Sequence, residues 1–216
     1  MERRFAVFAA PLVLALTAAA PSQPSLPPAD TVRVALVTEE GTIVVDLDRK
    51  NAPVTADNFL RYTDQKRFDG ITFYRAMRLG SGQPPSGLIQ AGTQGDPRRN
   101  LPAIAHEPTN ITGIQNTAGA IAMARYAPGT AAGDFFIMLS DLPSLDADPA
   151  SASPETAAGF AAFGHVVEGM DVVHRIWGAP VSATKGIGAM KGQMLEPSVR
   201  VLTVRRVPMP AARTTP

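Results

Sequence analysis

The 216-residue chain contains no cysteine. That absence removes disulfides, thiolate metal ligands and a cysteine nucleophile together. It also lacks a basic run: Lys and Arg cluster only in short pairs such as Arg98-Arg99 and Arg205-Arg206, and the formal net charge is +1. A nucleic-acid partner is therefore not expected, because phosphate binding needs a concentrated positive surface. The three histidines, His106, His165 and His174, match no metal-ligand spacing and are accompanied by no Gly-x-Ser-x-Gly elbow. Gly80 and Gly82 lack the third glycine and the helix of a dinucleotide fingerprint. No metal and no cofactor are expected. No internal repeat is visible, and a chain of this length with 45% hydrophobic residues suits one core with tails.

The N-terminus carries Glu2-Arg3-Arg4 ahead of an apolar run from Phe5 to Ala20 that ends in small residues. This is the pattern of a secretory signal. The run is about 16 residues, short of the roughly 20 a membrane-spanning helix needs, and Pro11 interrupts it. Residues 1–20 are read as a signal peptide, with cleavage between Ala18 and Ser22 and a periplasmic or otherwise exported product. No membrane association is expected once the signal is removed, and a monomer is expected. Residues 21–30, rich in Pro and Ser, form a linker, residues 31–207 the domain, and residues 208–216 a disordered tail.

Within the domain, Val32, Val34, Leu36 and then Ile43, Val45, Leu47 alternate around Glu39-Glu40-Gly41, which predicts a hairpin. Pro53 opens a predicted helix that runs to about Arg67. Further strands are expected over 71–78, 88–93, 118–125, 135–140, 161–167 and 198–207, with a second helix over 170–177. Residues 80–86 and 141–159 read as loops. Glu107, just before Pro108, reads as an acid that caps backbone N–H groups. Many strands with two helices predict a mainly β fold, a closed antiparallel barrel of about eight strands capped by two helices.

The segments Phe73-Tyr74-Arg75, Gly87-Leu88-Ile89-Gln90-Ala91-Gly92 and Asp134-Phe135-Phe136-Ile137 combine one cation with apolar neighbours. Such a combination suits a site that holds a proline ring while a guanidinium reaches the imide nitrogen. Rotation about an X-Pro bond meets a barrier of about 18–20 kcal/mol because resonance stiffens the C–N bond. A donor aimed at that nitrogen favours the single-bond-like transition state, with neither nucleophile nor proton transfer. Strand alternation puts Phe135 and Phe136 on opposite faces, one in the core and one in the pocket.

In order and spacing these segments resemble the cyclophilins, a family of peptidyl-prolyl cis-trans isomerases, from about Val32 to Val207. The resemblance implies that Arg75 is the catalytic arginine and that Gln90 orients it. Leu88 lines the proline pocket, Phe136 is its floor and Leu145 its rim, while Phe73 joins the substrate-binding set. Met123-Ala124-Arg125 resembles the segment that pairs with the substrate backbone, with Arg125 in place of the family's asparagine. Asp134 stands for a glutamine, Ser144 for a tryptophan, Phe160 for the pocket histidine, and Gly87 for an aromatic wall residue. The implied partners are proline-containing polypeptides. Two other readings stay open: a non-catalytic peptide-binding module, and an assembly component using residues 126–133 and 141–159 as contact surfaces.

Overall fold

A computed structural model describes residues 30–80 and 86–209. The expected signal peptide, all of the linker but Asp30, most of the tail and positions 81–85 of the expected 80–86 loop lie outside the described residues. Nine strands and four α-helices are described in chain order: β1 (Thr31–Thr38), β2 (Gly41–Asp48), α1 (Pro53–Asp64), β3 (Thr72–Arg78), β4 (Gly87–Gly92), α2 (Thr109–Thr112), β5 (Ala120–Met123), β6 (Asp134–Met138), α3 (Pro154–Ala158), β7 (Ala162–Glu168), α4 (Met170–Gly178), β8 (Val181–Ser182) and β9 (Met194–Arg206). The sheet runs β1-β2-β7-β5-β6-β4-β3-β9, and β1 pairs again with β9. Eight antiparallel strands thus close on themselves, and β8 is a two-residue spur on β9. Closure leaves no long edge with unpaired backbone groups.

Alternation sorts the side chains of each strand to the two faces of the barrel wall. Val34, Leu36, Ile43, Val45 and Leu47 point inward and are fully buried. Helices α1 and α4 add Phe59, Leu60 and Tyr62, and Val172, Val173 and Ile176, to the same core. Aromatic rings fill the interior: Phe59 lies 4.8 Å from Phe68, 5.2 Å from Phe135 and 5.5 Å from Phe163. An interior packed with side chains has no room for a ligand, so any groove has to form on the outside.

A second, smaller apolar cluster forms on the outer face of four neighbouring strands. It contains Leu88 of β4, Ala120 and Ala122 of β5, Phe136 and Met138 of β6, and Ala162 of β7. Their sequence neighbours Ile89, Ile121, Phe135, Ile137 and Phe163 belong to the interior. The expected split between Phe135 and Phe136 is therefore observed.

Helix α1 starts at Pro53 as expected and stops at Asp64, three residues before Arg67. Its N-terminus is capped from a distance by Glu107, whose carboxylate accepts from the Val54 N–H (3.1 Å), the Thr55 N–H (2.7 Å) and the Thr55 hydroxyl (2.6 Å). The stretch read as loop over 141–159 contains a 3-10 turn at Pro143–Leu145 and helix α3. The start of α3 is written in Ser153-Pro154: the Ser153 hydroxyl accepts from the Thr156 N–H, and proline holds the first helical position. Helix α2 and strand β8 were likewise missed, being four and two residues long.

Candidate active site

The outer cluster floors a groove of about 610 Å³. Leu88, Phe136, Leu145 and Phe160 give its apolar surface, Arg75, Gln90, Asp134 and Tyr74 its polar one, and Ala124 and Arg125 also line it. Phe136 and Phe160 meet edge to face at 5.4 Å. Three methionines, Met77, Met190 and Met194, line it as well. No aromatic from the Gly87 position could join them: Gly87 has a φ of +144°, and a Cβ there would sit 2.0 Å from the Met77 carbonyl oxygen.

Arg75 reaches the groove through an irregularity in β3. Strict alternation would put Phe73 and Arg75 on the same face. The ladder with β4 instead pairs Phe73 with Ala91 and Arg75 with Gln90, leaving Tyr74 as the extra residue of a bulge. Phe73 and Ala76 consequently face the core, while Tyr74 and Arg75 both face the groove.

The Arg75 guanidinium is held by neutral acceptors. Its Nη1 donates to Gln90 Oε1 (2.9 Å) and its Nε to Gln193 Oε1 (2.8 Å). Neither partner cancels the charge. Burial lowers the Arg75 pKa from its ordinary value, yet a guanidinium stays protonated in any aqueous protein. Two of its N–H directions are fixed, and the rest meet no hydrogen-bond partner among the described residues.

Gln90 is itself oriented by a run of hydrogen bonds. Its Nε2 donates to the Tyr74 hydroxyl (2.6 Å), which donates to Asp134 Oδ1 (3.0 Å). Burial, then the neighbouring Asp134 charge, raises the Tyr74 pKa, so the phenol keeps its proton and acts as the donor. Burial raises the Asp134 pKa too, opposed by donation from the Gln94 N–H (3.1 Å) and the Thr93 hydroxyl (3.3 Å). With the hydroxyl hydrogen committed to Asp134, Tyr74 presents a lone pair to Gln90. That fixes the amide with its NH2 toward Tyr74 and its carbonyl toward Arg75. Asp134 therefore reaches Arg75 through two intermediates.

The structure brings nine of the eleven residues singled out from the sequence to this groove: Arg75, Gln90, Leu88, Ala124, Arg125, Asp134, Phe136, Leu145 and Phe160. Phe73 and Met123 are corrected to the core. Phe73 is removed by the bulge, and Met123 shares the parity of inward-facing Ile121 on β5. Gln193, Met190 and Met194 were missed because they come from the segment around the start of β9, distant in sequence and without a motif, and Met77 because it follows the β3 motif without being part of it. Tyr74 was visible only as the middle of a motif.

A family model described as cyclophilin type peptidyl-prolyl cis-trans isomerase/CLD matches residues 33–205. The chain belongs to the cyclophilin-type isomerase family. As a cyclophilin it is 35% identical over 153 residues to a peptidyl-prolyl cis-trans isomerase of Acinetobacter baylyi, covering 69% of this chain and 73% of that protein. Identity to peptidyl-prolyl cis-trans isomerase B of Escherichia coli is 36% over 146 residues, or 65% of this chain and 81% of the relative. The fold matches a crystal structure of a Cryptosporidium parvum cyclophilin type isomerase with a TM-score of 0.63 at 17% identity, covering 83% of this chain and 99% of that one.

Proposed function

We infer that this cyclophilin accelerates cis-trans rotation about X-Pro bonds in extended or flexible polypeptide segments. The observation that carries this is a guanidinium on the wall of an apolar groove, restrained by two glutamine carbonyls and by no carboxylate among the described residues. Leu88, Phe136, Leu145 and Phe160 would hold the proline ring. The remaining Arg75 donors would then meet the imide nitrogen as its lone pair leaves conjugation. A positive donor in an apolar site favours that state over the planar ground state, since charge interactions strengthen where water is excluded. Nothing is covalently bonded and no proton moves.

A related structure of the Cryptosporidium parvum protein was obtained in the presence of the dipeptide Ala-Pro, which supports a proline-containing ligand for the fold's groove. The N-terminal basic-then-apolar pattern supports export, so the substrates would be unfolded stretches of exported proteins, met by a monomer. The mature N-terminus of the secreted protein and its size in solution check both points.

A protease-coupled assay with a proline peptide and the mature domain tests the main reading. The expected result is a catalysed rate well above thermal isomerisation. Peptide binding without acceleration would leave only a recognition module.

A further inference from the structure

The groove carries a second guanidinium that the chemistry above does not use. Arg125 follows β5 and lies where the chain departs from the cyclophilin pattern. Its Nε donates to the Gly159 carbonyl (3.1 Å), its Nη1 to the Tyr126 carbonyl (2.9 Å), and its Nη2 to the carbonyls of Glu155 (3.2 Å) and Gly159. The same group lies over the Phe160 ring, 4.7 Å from its centroid. Phe160 in turn packs on Phe136. A single side chain thus pins the end of the 141–159 segment against the aromatic wall of the groove.

All of those acceptors are neutral. The Glu155 carboxylate accepts from the Ser153 hydroxyl (3.2 Å) and makes no salt bridge with Arg125 among the described residues, although its charge acts on the guanidinium through space. Of the charged side chains lining the groove, Arg75 and Arg125 are cations that form no salt bridge among the described residues. Asp134 is the one anion, and it already accepts from Tyr74, Gln94 and Thr93. The groove lining therefore carries two fixed, half-buried cations against one anion, with the Glu155 charge acting on Arg125 from outside the lining.

We propose that Arg125 is a specificity-determining residue that selects substrates carrying an acidic side chain beside the proline, with the end of the 141–159 segment holding its guanidinium in place. The proposal rests on the isomerase reading and refines its substrate class. An acidic side chain is attracted and a lysine repelled, and packing against the Phe160 ring keeps the guanidinium from folding away into water.

The test uses four proline peptides differing only in Glu, Gln, Ala or Lys at a position flanking the proline. At low ionic strength the Glu peptide is expected to exceed the Gln peptide in kcat/KM by about three- to fivefold, the size of a partly exposed ion pair, and to lose that advantage in high salt. Arg125→Gln is expected to remove the ratio. Arg125→Lys keeps the charge but loses the multiple carbonyl contacts, so it should retain part of the ratio while the 141–159 segment becomes more sensitive to protease. Equal kcat/KM for the Glu and Gln peptides on the unaltered protein would overturn the proposal, as would a ratio that survives Arg125→Gln in a variant with native circular dichroism. The Ala peptide separates the two levels: absence of turnover there removes the isomerase reading, and the charge selection is then judged on calorimetric binding of the same four peptides, where equal affinities overturn it.

Discussion

Phe135 and Phe136 are neighbours in sequence on β6, yet one serves the barrel and the other the groove. Phe135 is fully buried among Phe59, Phe68 and Phe73, where it helps to fix the fold. Phe136 is nearly as buried, at 4% exposure, but on the opposite face beside Leu88 and Phe160. Burial alone does not distinguish them. What differs is the company each keeps: the inner face is closed by other rings, whereas the outer face is bordered by Arg75, Arg125 and Asp134, which can act on something from outside.

That contrast can be broken in order of expected effect. Phe135→Ala leaves a cavity in a rigid core and should cost about 3–5 kcal/mol of stability in a denaturant titration, with the activity of the remaining folded fraction little changed. Arg75→Ala should do the reverse. Its head group lies in the groove, so the melting temperature should barely move while kcat/KM in the coupled assay falls by about 10²–10³, the loss typical of one pre-organised donor. Full turnover by that variant would remove Arg75 from the mechanism.

Smaller effects come from residues that act through others. Tyr74→Phe interrupts the hydrogen-bond run between Asp134 and Gln90, and kcat should drop about tenfold with KM nearly constant, because Arg75 keeps its charge but not its aim. Asp134→Ala should cost a similar factor, and the double variant little more than either alone, which a double-mutant cycle would read directly. Glu107→Ala touches only the fold: uncapping α1 should lower stability by about 1–2 kcal/mol and leave the rate per folded molecule intact.

The smallest effect is on pH dependence. Burial raises the Asp134 pKa above its ordinary value of 3.8, so the native state binds that proton more tightly than the unfolded chain. Stability from this group is present below the unfolded value and is lost as pH rises through the native one. Activity per folded molecule should rise over the same interval, since the ionised carboxylate is the stronger acceptor for Tyr74. Opposite slopes of stability and rate in acid, both removed by Asp134→Asn, are the expected outcome.

Much of the barrel was legible because its information is local. Val34 and Leu36, then Ile43, Val45 and Leu47, recur with period two and mark strands whatever lies next to them, and Pro53 announces a helix start; Glu107 reads as a capping acid, but only the fold brings it to α1. Ser153-Pro154 carried the same kind of signal, obscured by the Ala, Ser and Pro around it. Arg75 and Gln90 could be found by resemblance, but their joining to Gln193 could not, since 118 residues separate Arg75 from that partner. Met123 shows the limit from the other side: its place in a motif suggested the groove, and parity on β5 placed it in the core.

The amino-acid sequence by itself determined the strand periods, the starts of α1 and α4 and the family, because these depend on short-range pattern and on residues that need only be counted in order. Which face each residue serves was decided by the closed sheet. A bulge at Tyr74 reverses the side on which Arg75 emerges, and the 141–159 segment held by Arg125 completes the groove wall. A one-residue change of register costs the backbone little yet exchanges inside for outside, and only the assembled barrel fixes it.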